Sequence, residues 1–286
     1  MFIDPWEDPV TYATPFFVLF IVIELISLRY LDNDDLQGGP AMKGYETKDT
    51  VTNLVMGLGS VVINTFARAA ALLLYVGLYL WTPLRLDPHD WWTWVIAFLL
   101  IDFLWYSYHR ASHRVRILWA MHQAHHSSTY FNYAVALRQK WNPWGELLFW
   151  VPIPLLGIPP WMIFFVWSWN LIYQFWVHTE TIPKLWRPFE FVFNTPSHHR
   201  VHHASDAEYL DKNYGGILII WDRIFGSYAE ETHRPVYGLT KPVETFNPLR
   251  LQYGEFAAAL RDLRGARGWR ERVGFLLGPP GWQPER

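Results

Sequence analysis

The chain has 286 residues, of which 51% are hydrophobic, 18% aromatic and only 17% charged. It contains no cysteine, which excludes disulfides, cysteine-ligated zinc, iron–sulfur clusters and thiolate-ligated haem. The net charge of −2, without any run of Lys or Arg, argues against a nucleic-acid partner.

Long apolar runs predict membrane helices in the first third of the chain. The first run, 15–31, is close to the minimum that crosses a bilayer, and its Glu24 must face protein or water. The second run, 51–81, is too long for one perpendicular span. It predicts either one tilted helix or a helix pair that bends near 64–68. The third run, 91–108, is a clear span that leads directly into the first histidine motif.

The stretch 144–177 predicts a helical hairpin embedded in the membrane. Four prolines and Gly157 interrupt it, so we expect a turn near 155–160. His109 follows one apolar run and His178 follows this one. If both rings serve one site, the chain between them must leave the membrane on the side where it entered.

The remaining segments predict a cap outside the lipid. Residues 109–143 and 178–247 form this His-rich cap, and the Arg-rich tail 248–286 is expected to lie as an amphipathic segment on the membrane surface. Residues 1–286 are therefore expected to form one domain. The predicted fold is an all-α integral membrane protein with about four transmembrane or membrane-embedded helical units and a cytosolic helical cap.

Orientation follows from the distribution of charge. The amino terminus and the Asp32–Asp35 loop are acidic, whereas the histidine side is basic, which predicts that this side faces the cytoplasm. The cations on the histidine side are Arg110, Arg114, Arg116, Arg138 and Lys140.

Ten of the twelve histidines lie in three tight groups and one isolated position. One motif is His-x3-His and two are His-x2-His-His, so each presents several rings on one helix face. A single metal seldom takes more than six ligands, so nine imidazoles predict two metal ions, and imidazole suits Fe, Zn, Cu and Ni. The expected ligands are His109, His113, His122, His125, His126, His178, His199, His202 and His203.

Polar side chains near these motifs are expected to accept the second ring N–H and so fix the tautomer. His198 is left open as a ligand or a neighbour of the ligands, because it is adjacent to His199. His89 and His233 have no partner at ligand spacing and are predicted to be surface residues. The candidate acceptors are Asp102, Glu180, Asp206, Asp211 and Asn132.

The order of these motifs between apolar runs resembles the fatty acid hydroxylase/sterol desaturase superfamily of membrane di-iron enzymes. The strings DFLWYSYHRASHRVRILWAMHQAHHSS, NLIYQFWVHTE, NTPSHHRVHH and DKNYGGILIIWDRIFGSY are most similar to bacterial sterol-desaturase-like proteins related to alkylglycerol monooxygenase. The resemblance covers about Glu46 to Thr240. It implies two iron ions held by the nine histidines, and a bacterial inner membrane with the catalytic side in the cytoplasm.

The resemblance also implies an oxidoreductase that uses O2 on an unactivated C–H bond of a membrane lipid, as a hydroxylase, monooxygenase or desaturase. Electrons would come from an external donor, for which ferredoxin, cytochrome b5 and tetrahydrobiopterin all remain open. Sterol or carotenoid oxidation is the alternative within the class.

A membrane zinc hydrolase and a metal transporter are the alternatives of another class. A hydrolase of this kind usually has a Glu next to a ligand, and neither histidine motif contains one. A transporter would have ionisable groups inside several spans, whereas these histidines lie at the ends of the apolar runs.

Overall fold

The computed structural model describes residues 8–30 and 42–285. Leu31, at the end of the first predicted span, and the Asp32–Asp35 loop lie outside these described residues. Within them, α-helices account for the architecture, two isolated β-bridges occur and no strand forms, which confirms the all-α prediction.

The helices fall into an apolar half and a cap with a tail. The apolar half consists of α1 Pro9–Ser27, α2 Thr47–Trp81, α3 Trp91–Arg114, α5 Trp144–Phe149, α6 Pro152–Leu155 and α7 Pro160–Trp176. The cap and tail consist of α4 Arg116–His126, a 3-10 turn Val135–Leu137, α8 Arg187–Val192, α9 Pro196–His202, α10 Ile220–Ile224, α11 Pro248–Gly265 and α12 Trp269–Leu277.

Two described helices, α1 and α2, are long and apolar enough to cross a membrane. Their outward faces expose large apolar side chains such as Phe16, Leu58 and Phe66, a surface that fits lipid rather than water. Of the two alternatives for the second run, the structure has a single 35-residue helix. At about 1.5 Å per residue it is about 52 Å long, more than the roughly 30 Å hydrocarbon layer, so it must tilt or extend beyond the lipid.

Helices α5, α6 and α7 form a hairpin that turns at 156–159, inside the predicted region 155–160. Gly157 allows this turn, because its φ is +87° and a Cβ there would lie 2.8 Å from the carbonyl carbon of Leu84. Its own carbonyl accepts the Leu86 N–H at 2.9 Å, which attaches the hairpin to the α2–α3 loop. The main core lies between the hairpin, α2 and α3, and α7 then runs along α1 and α3 towards His178.

A buried carboxylate attaches α1 to the cap. Glu24 is 2% exposed, accepts the Tyr133 N–H at 2.9 Å and also bonds to the hydroxyls of Tyr45 and Thr179. This confirms that Glu24 faces protein rather than lipid. Thr179 follows the candidate ligand His178 directly, so α1 supports the wall of the site.

The tail packs on the cap, which the sequence did not predict. Helices α11 and α12 both lie against α4, the helix that carries the second histidine motif. Arg116, the first residue of α4, is buried and pairs with Glu255 and Asp262 of α11, each at 2.7 Å. The tail also contacts α2, where Met56, Ala124 and Leu251 form one small buried cluster, so it holds α4 against the apolar half.

Candidate metal centre

The nine predicted ligands lie together in two groups at the junction of the apolar half and the cap. Within each group one ring nitrogen from every histidine lies within 4.8 Å of the others. Group one is His109, His113, His122, His126 and His202, and group two is His125, His178, His199 and His203.

A sharp turn between α3 and α4 brings the first two motifs together. Val115 is the only residue between these helices and has an extended backbone, with φ −121° and ψ 117°. The chain therefore changes direction within one residue, and His122 on α4 comes back to His109 on α3. Their Nε2 atoms are 2.9 Å apart.

The two His-x2-His-His motifs are used in opposite ways. On α4 the outer rings, His122 and His126, belong to group one and the middle ring, His125, to group two. On the α9 motif the outer rings belong to group two and the middle ring, His202, to group one. Because i and i+4 share a helix face and i+3 is offset from it, each helix supplies both groups.

Backbone carbonyls fix the orientation of four rings. The Nδ1 atoms of His109, His178 and His202 lie 2.8, 2.7 and 2.9 Å from the carbonyl oxygens of Tyr214, Gln174 and Lys212. His125 Nδ1 lies 3.3 Å from the carbonyl oxygen of Arg138. A carbonyl accepts only, so each Nδ1 carries the proton and each Nε2 has a free lone pair.

These lone pairs point at one another. His125 Nε2 and His178 Nε2 are 3.3 Å apart, although the carbonyl contacts leave neither with a proton to donate. Other buried ring nitrogens have no hydrogen-bond partner among the described residues: His113 Nε2, His199 Nδ1, His202 Nε2 and His203 Nε2. Converging buried lone pairs repel unless a cation lies between them, so this donor set fits metal ions.

Burial keeps the rings neutral. It lowers the pKa of His178 to about 3 and that of His202 to about 4. Burial also lowers the pKa of each of the other seven rings well below its usual value, and neighbouring rings lower it further. Neutral imidazole is the form that ligates metal. The two groups thus offer five and four neutral nitrogen donors.

The expected carboxylate acceptors need correction. Asp102 contacts no histidine and instead accepts the N–H groups of Ile217 and Leu218 at 2.8 and 3.1 Å. It fixes the segment whose Tyr214 carbonyl orients His109, so it acts on the site through the backbone. Burial raises the pKa of Asp222, which accepts from the Tyr214 and Gly215 N–H groups, to about 6.

The other candidate acceptors lie at different distances from the rings. Asp211 faces group one, with Oδ1 3.8 Å from His113 Nδ1. Glu180 accepts from the hydroxyl of Tyr237 at 3.2 Å, and Asn132 donates to the Gly44 carbonyl at 2.7 Å, so neither accepts from a ligand ring. Asp206 accepts the N–H of Val236 at 2.8 Å. Backbone carbonyls, rather than these side chains, are the hydrogen-bond partners of four of the rings. The identity of a residue does not show where its backbone carbonyl will lie, so the sequence could not predict these partners.

The remaining histidines lie outside both groups. His198 is 1% exposed, but its ring packs against Tyr228 and its Nδ1 lies 3.3 Å from the Thr195 hydroxyl. His89 is exposed. His233 is half-buried rather than fully exposed, stacks on Tyr209 and lies 3.6 Å from both Asp206 and Glu208.

The fold and site together define a class: an all-α protein with two helices long and apolar enough to cross a membrane and two adjoining polyhistidine groups suited to metal. The fatty acid hydroxylase family model matches residues 94–227, which include all nine histidines of the two groups. Residues 94–227 of the chain thus belong to this family.

Curated relatives extend the similarity beyond that segment. Alkylglycerol monooxygenase of Homo sapiens is 39% identical over 284 residues, which cover 97% of this chain and 60% of that protein. The Danio rerio alkylglycerol monooxygenase is 39% identical over 96% of this chain and 60% of its own length. The ornithine lipid hydroxylase OlsE of Rhizobium tropici is 26% identical over 47% of this chain and 41% of its own. The chain thus spans about 60% of the length of the alkylglycerol monooxygenases, and no solved structure matches it.

Proposed function

We propose that the chain is an O2-dependent lipid monooxygenase in which groups one and two each hold one iron ion. The observation that carries this is the convergence of buried neutral nitrogen lone pairs, as between His125 and His178, in a chain with two helices long and apolar enough to cross a membrane. Relatives named for lipid monooxygenation and lipid hydroxylation support the same reaction class. One oxygen atom enters a C–H bond, and the other is reduced to water with two electrons and two protons.

The protein's own residues would hold the iron ions, orient the nitrogen donors and shield the centre from water. His109, His178 and His202 would present fixed Nε2 donors, because backbone carbonyls retain their Nδ1 protons. Two irons bound there would supply the O2 activation that no protein side chain can perform. Burial of the rings excludes water from the oxidant, which protects it from side reactions.

The membrane arrangement is proposed to follow the predicted units. Spans at 15–31, 51–81 and 91–108 and the hairpin 144–177 would lie in the lipid, and the cap would lie on the cytoplasmic side of a bacterial inner membrane. Of the five cations that supported this orientation, Arg116, Arg138 and Lys140 are in buried ion pairs and contribute little. The tail, which packs on the cap, supplies others that are exposed: Arg250, Arg261, Arg264, Arg267, Arg270 and Arg272.

The partners of the reaction are proposed to be a membrane lipid and an external electron donor, either a ferredoxin or cytochrome b5 type protein or reduced pterin. Sterol or carotenoid oxidation is the alternative substrate class. A zinc hydrolase is less well supported, because such an enzyme usually has a Glu next to a metal ligand. Among the described residues, the only carboxylate paired with a ring of either group is Asp211, at 3.8 Å from His113.

Reconstitution tests this proposal. The full chain, purified in detergent without metal and loaded anaerobically with Fe(II), should consume O2 and add one oxygen to a lipid extract when each donor is supplied in turn. Product is followed by mass spectrometry as a gain of one oxygen, or a loss of two hydrogens for desaturation. A zinc-loaded sample serves as the matched control. Hydrolysis products from the zinc sample, with no oxidation from the iron sample, would overturn the proposal.

A further inference from the structure

A second buried polar cluster lies one helical turn from group one, on the side that faces the apolar half. Lys140 and Glu146 form an ion pair at 2.5 Å, with side chains only 11% and 2% exposed. The Lys140 ammonium also lies 4.8 Å from the centre of the Tyr108 ring and 5.6 Å from that of Trp105. These four residues are called the Lys140–Glu146 cluster below.

The cluster adjoins the histidines directly. Trp105 and His109 are four residues apart on α3, so they share a face, and their ring centres are 5.7 Å apart. Trp105 lies on the side of His109 from which α3 comes out of the apolar half. The cluster therefore lies between the main core of the apolar half and group one.

Two polar atoms of the cluster, Glu146 Oε1 and Trp105 Nε1, lack a hydrogen-bond partner among the described residues, whereas the Tyr108 side chain bonds to Lys140. Glu146 and Trp105 are 2% and 7% exposed, so bulk water does not satisfy these two atoms. An unsatisfied buried polar group is destabilising, so these two atoms favour a bound polar partner.

We infer that the Lys140–Glu146 cluster is the recognition site for an uncharged hydroxyl group of the lipid substrate. A hydroxyl can donate to Glu146 Oε1 and accept from the indole N–H of Trp105, which satisfies two unpartnered atoms at once. An anionic group fits less well, because Glu146 already cancels the charge of Lys140. The inference rests on the proposed function and assigns the residues that select the substrate and set which carbon reaches group one.

Binding to the metal-free full chain tests the site independently of catalysis. The probes are hexadecane-1,2-diol, its dimethyl ether 1,2-dimethoxyhexadecane, which cannot donate, and hexadecyl phosphate, which is anionic. We expect the wild type to bind the diol at least about tenfold more tightly than either other probe, because a site built to pair a hydroxyl rejects analogues that lack it. No preference for the diol would overturn the inference.

Two variants and one matched control complete the design. The double variant Lys140→Met/Glu146→Leu removes both charges together, so it leaves no unpaired buried ion, and should reduce the diol preference to under about threefold. Trp105→Phe removes one N–H and keeps the ring, so it should weaken diol binding even where the double variant folds poorly. Lys184→Met/Glu230→Leu removes a chemically identical pair that is 31% and 65% exposed, and should leave the preference unchanged.

The outcomes separate the two proposals. In the iron-loaded enzyme the variants should raise KM for the diol more than they lower kcat, because they remove a binding contact. If the enzyme oxidises lipid and both variants still prefer the diol over the other probes, the recognition site is wrong and the monooxygenase proposal stands. A preference that the variants abolish, without any lipid oxidation, would support the site and refute the reaction.

Discussion

His126 and His203 stack with ring centres 4.3 Å apart, although one belongs to group one and the other to group two. The two groups are therefore adjoining parts of one polyhistidine centre. Both rings come from helices that supply both groups, so a displacement of α4 or α9 changes the two groups together.

Removing one donor should affect the group to which it belongs first. His202→Ala should lower the iron content from two per chain to one or less, because it removes a ring of group one, and should abolish lipid oxidation. His125→Ala should do the same through group two. Metal analysis and O2 uptake measure both effects, and both variants should still insert into membranes, since neither ring lies in a predicted span.

His233→Ala is the control for these variants. Its ring stacks on Tyr209 and lies outside both groups, so metal content and turnover should remain at the wild-type level. Loss of metal in His233→Ala, or wild-type metal and turnover in His202→Ala, would show that the grouping is wrong.

Metal should stabilise the fold strongly. In the metal-free protein the Nε2 lone pairs of His125 and His178 repel at 3.3 Å, and bound metal turns that repulsion into coordination. Metal that binds only the folded state adds stability in proportion to the logarithm of its concentration over Kd. A thermal melt with and without a chelator should therefore show a loss of many degrees. Identical melts would indicate that no metal binds the native centre.

Acidification should unfold the metal-free protein. The pKa of each buried ring is lowered from 6.5, to about 4 for His202, so the unfolded chain binds more protons than the folded chain between these pH values. Stability is then fully present above pH 6.5 and falls as pH decreases, by about 1.4 kcal/mol per pH unit for each such histidine. Circular dichroism across pH 7 to 4 measures this. Stability that rises on acidification would contradict the burial of neutral rings.

The ion pair between Arg138 and Asp49 should be essential for holding α2 to the cap. Arg138 Nη1 donates to Asp49 Oδ1 at 2.9 Å, and both side chains are at least 96% buried. Asp49→Leu should cost about 3–5 kcal/mol, because it leaves the guanidinium without its partner. Chemical denaturation measures the free energy of unfolding of the single variant and of Arg138→Met/Asp49→Leu, in which both charges are removed. The double variant should be the more stable of the two, because it has no unpaired buried charge. A double variant less stable than the single one would contradict this explanation.

Much of the centre could be predicted from the sequence because the histidine motifs are local. Spacings of three and four residues place rings on one helix face whatever the fold, so eight of the nine rings could be named as candidates. The isolated His178 could be named because it follows an apolar run directly. The division of the rings between groups one and two could not be predicted, because it depends on the angle between α4 and α9. His122 and His199 hold the same position in their motifs yet belong to different groups.

The hydrogen-bond and ion-pair partners that depend on tertiary packing could not be predicted from the sequence. Asp102 was expected to accept a ring proton, but free N–H groups at Ile217 and Leu218 lie closer to it, and a carbonyl satisfies His109 instead. The Lys140–Glu146 pair joins the segment before the hairpin to α5, and nothing in local spacing indicates that it is buried. The packing of Arg116 on α11 bridges more than a hundred residues.

Mössbauer spectroscopy of the full chain reconstituted with 57Fe tests the central claim most directly. If the nine histidines hold two adjoining irons, the protein binds two irons per chain, and its oxidised form gives a coupled, diamagnetic di-iron spectrum that His202→Ala and His199→Ala each destroy. A chain that binds a single iron, or whose iron spectrum is unchanged when these rings are removed, would contradict the account.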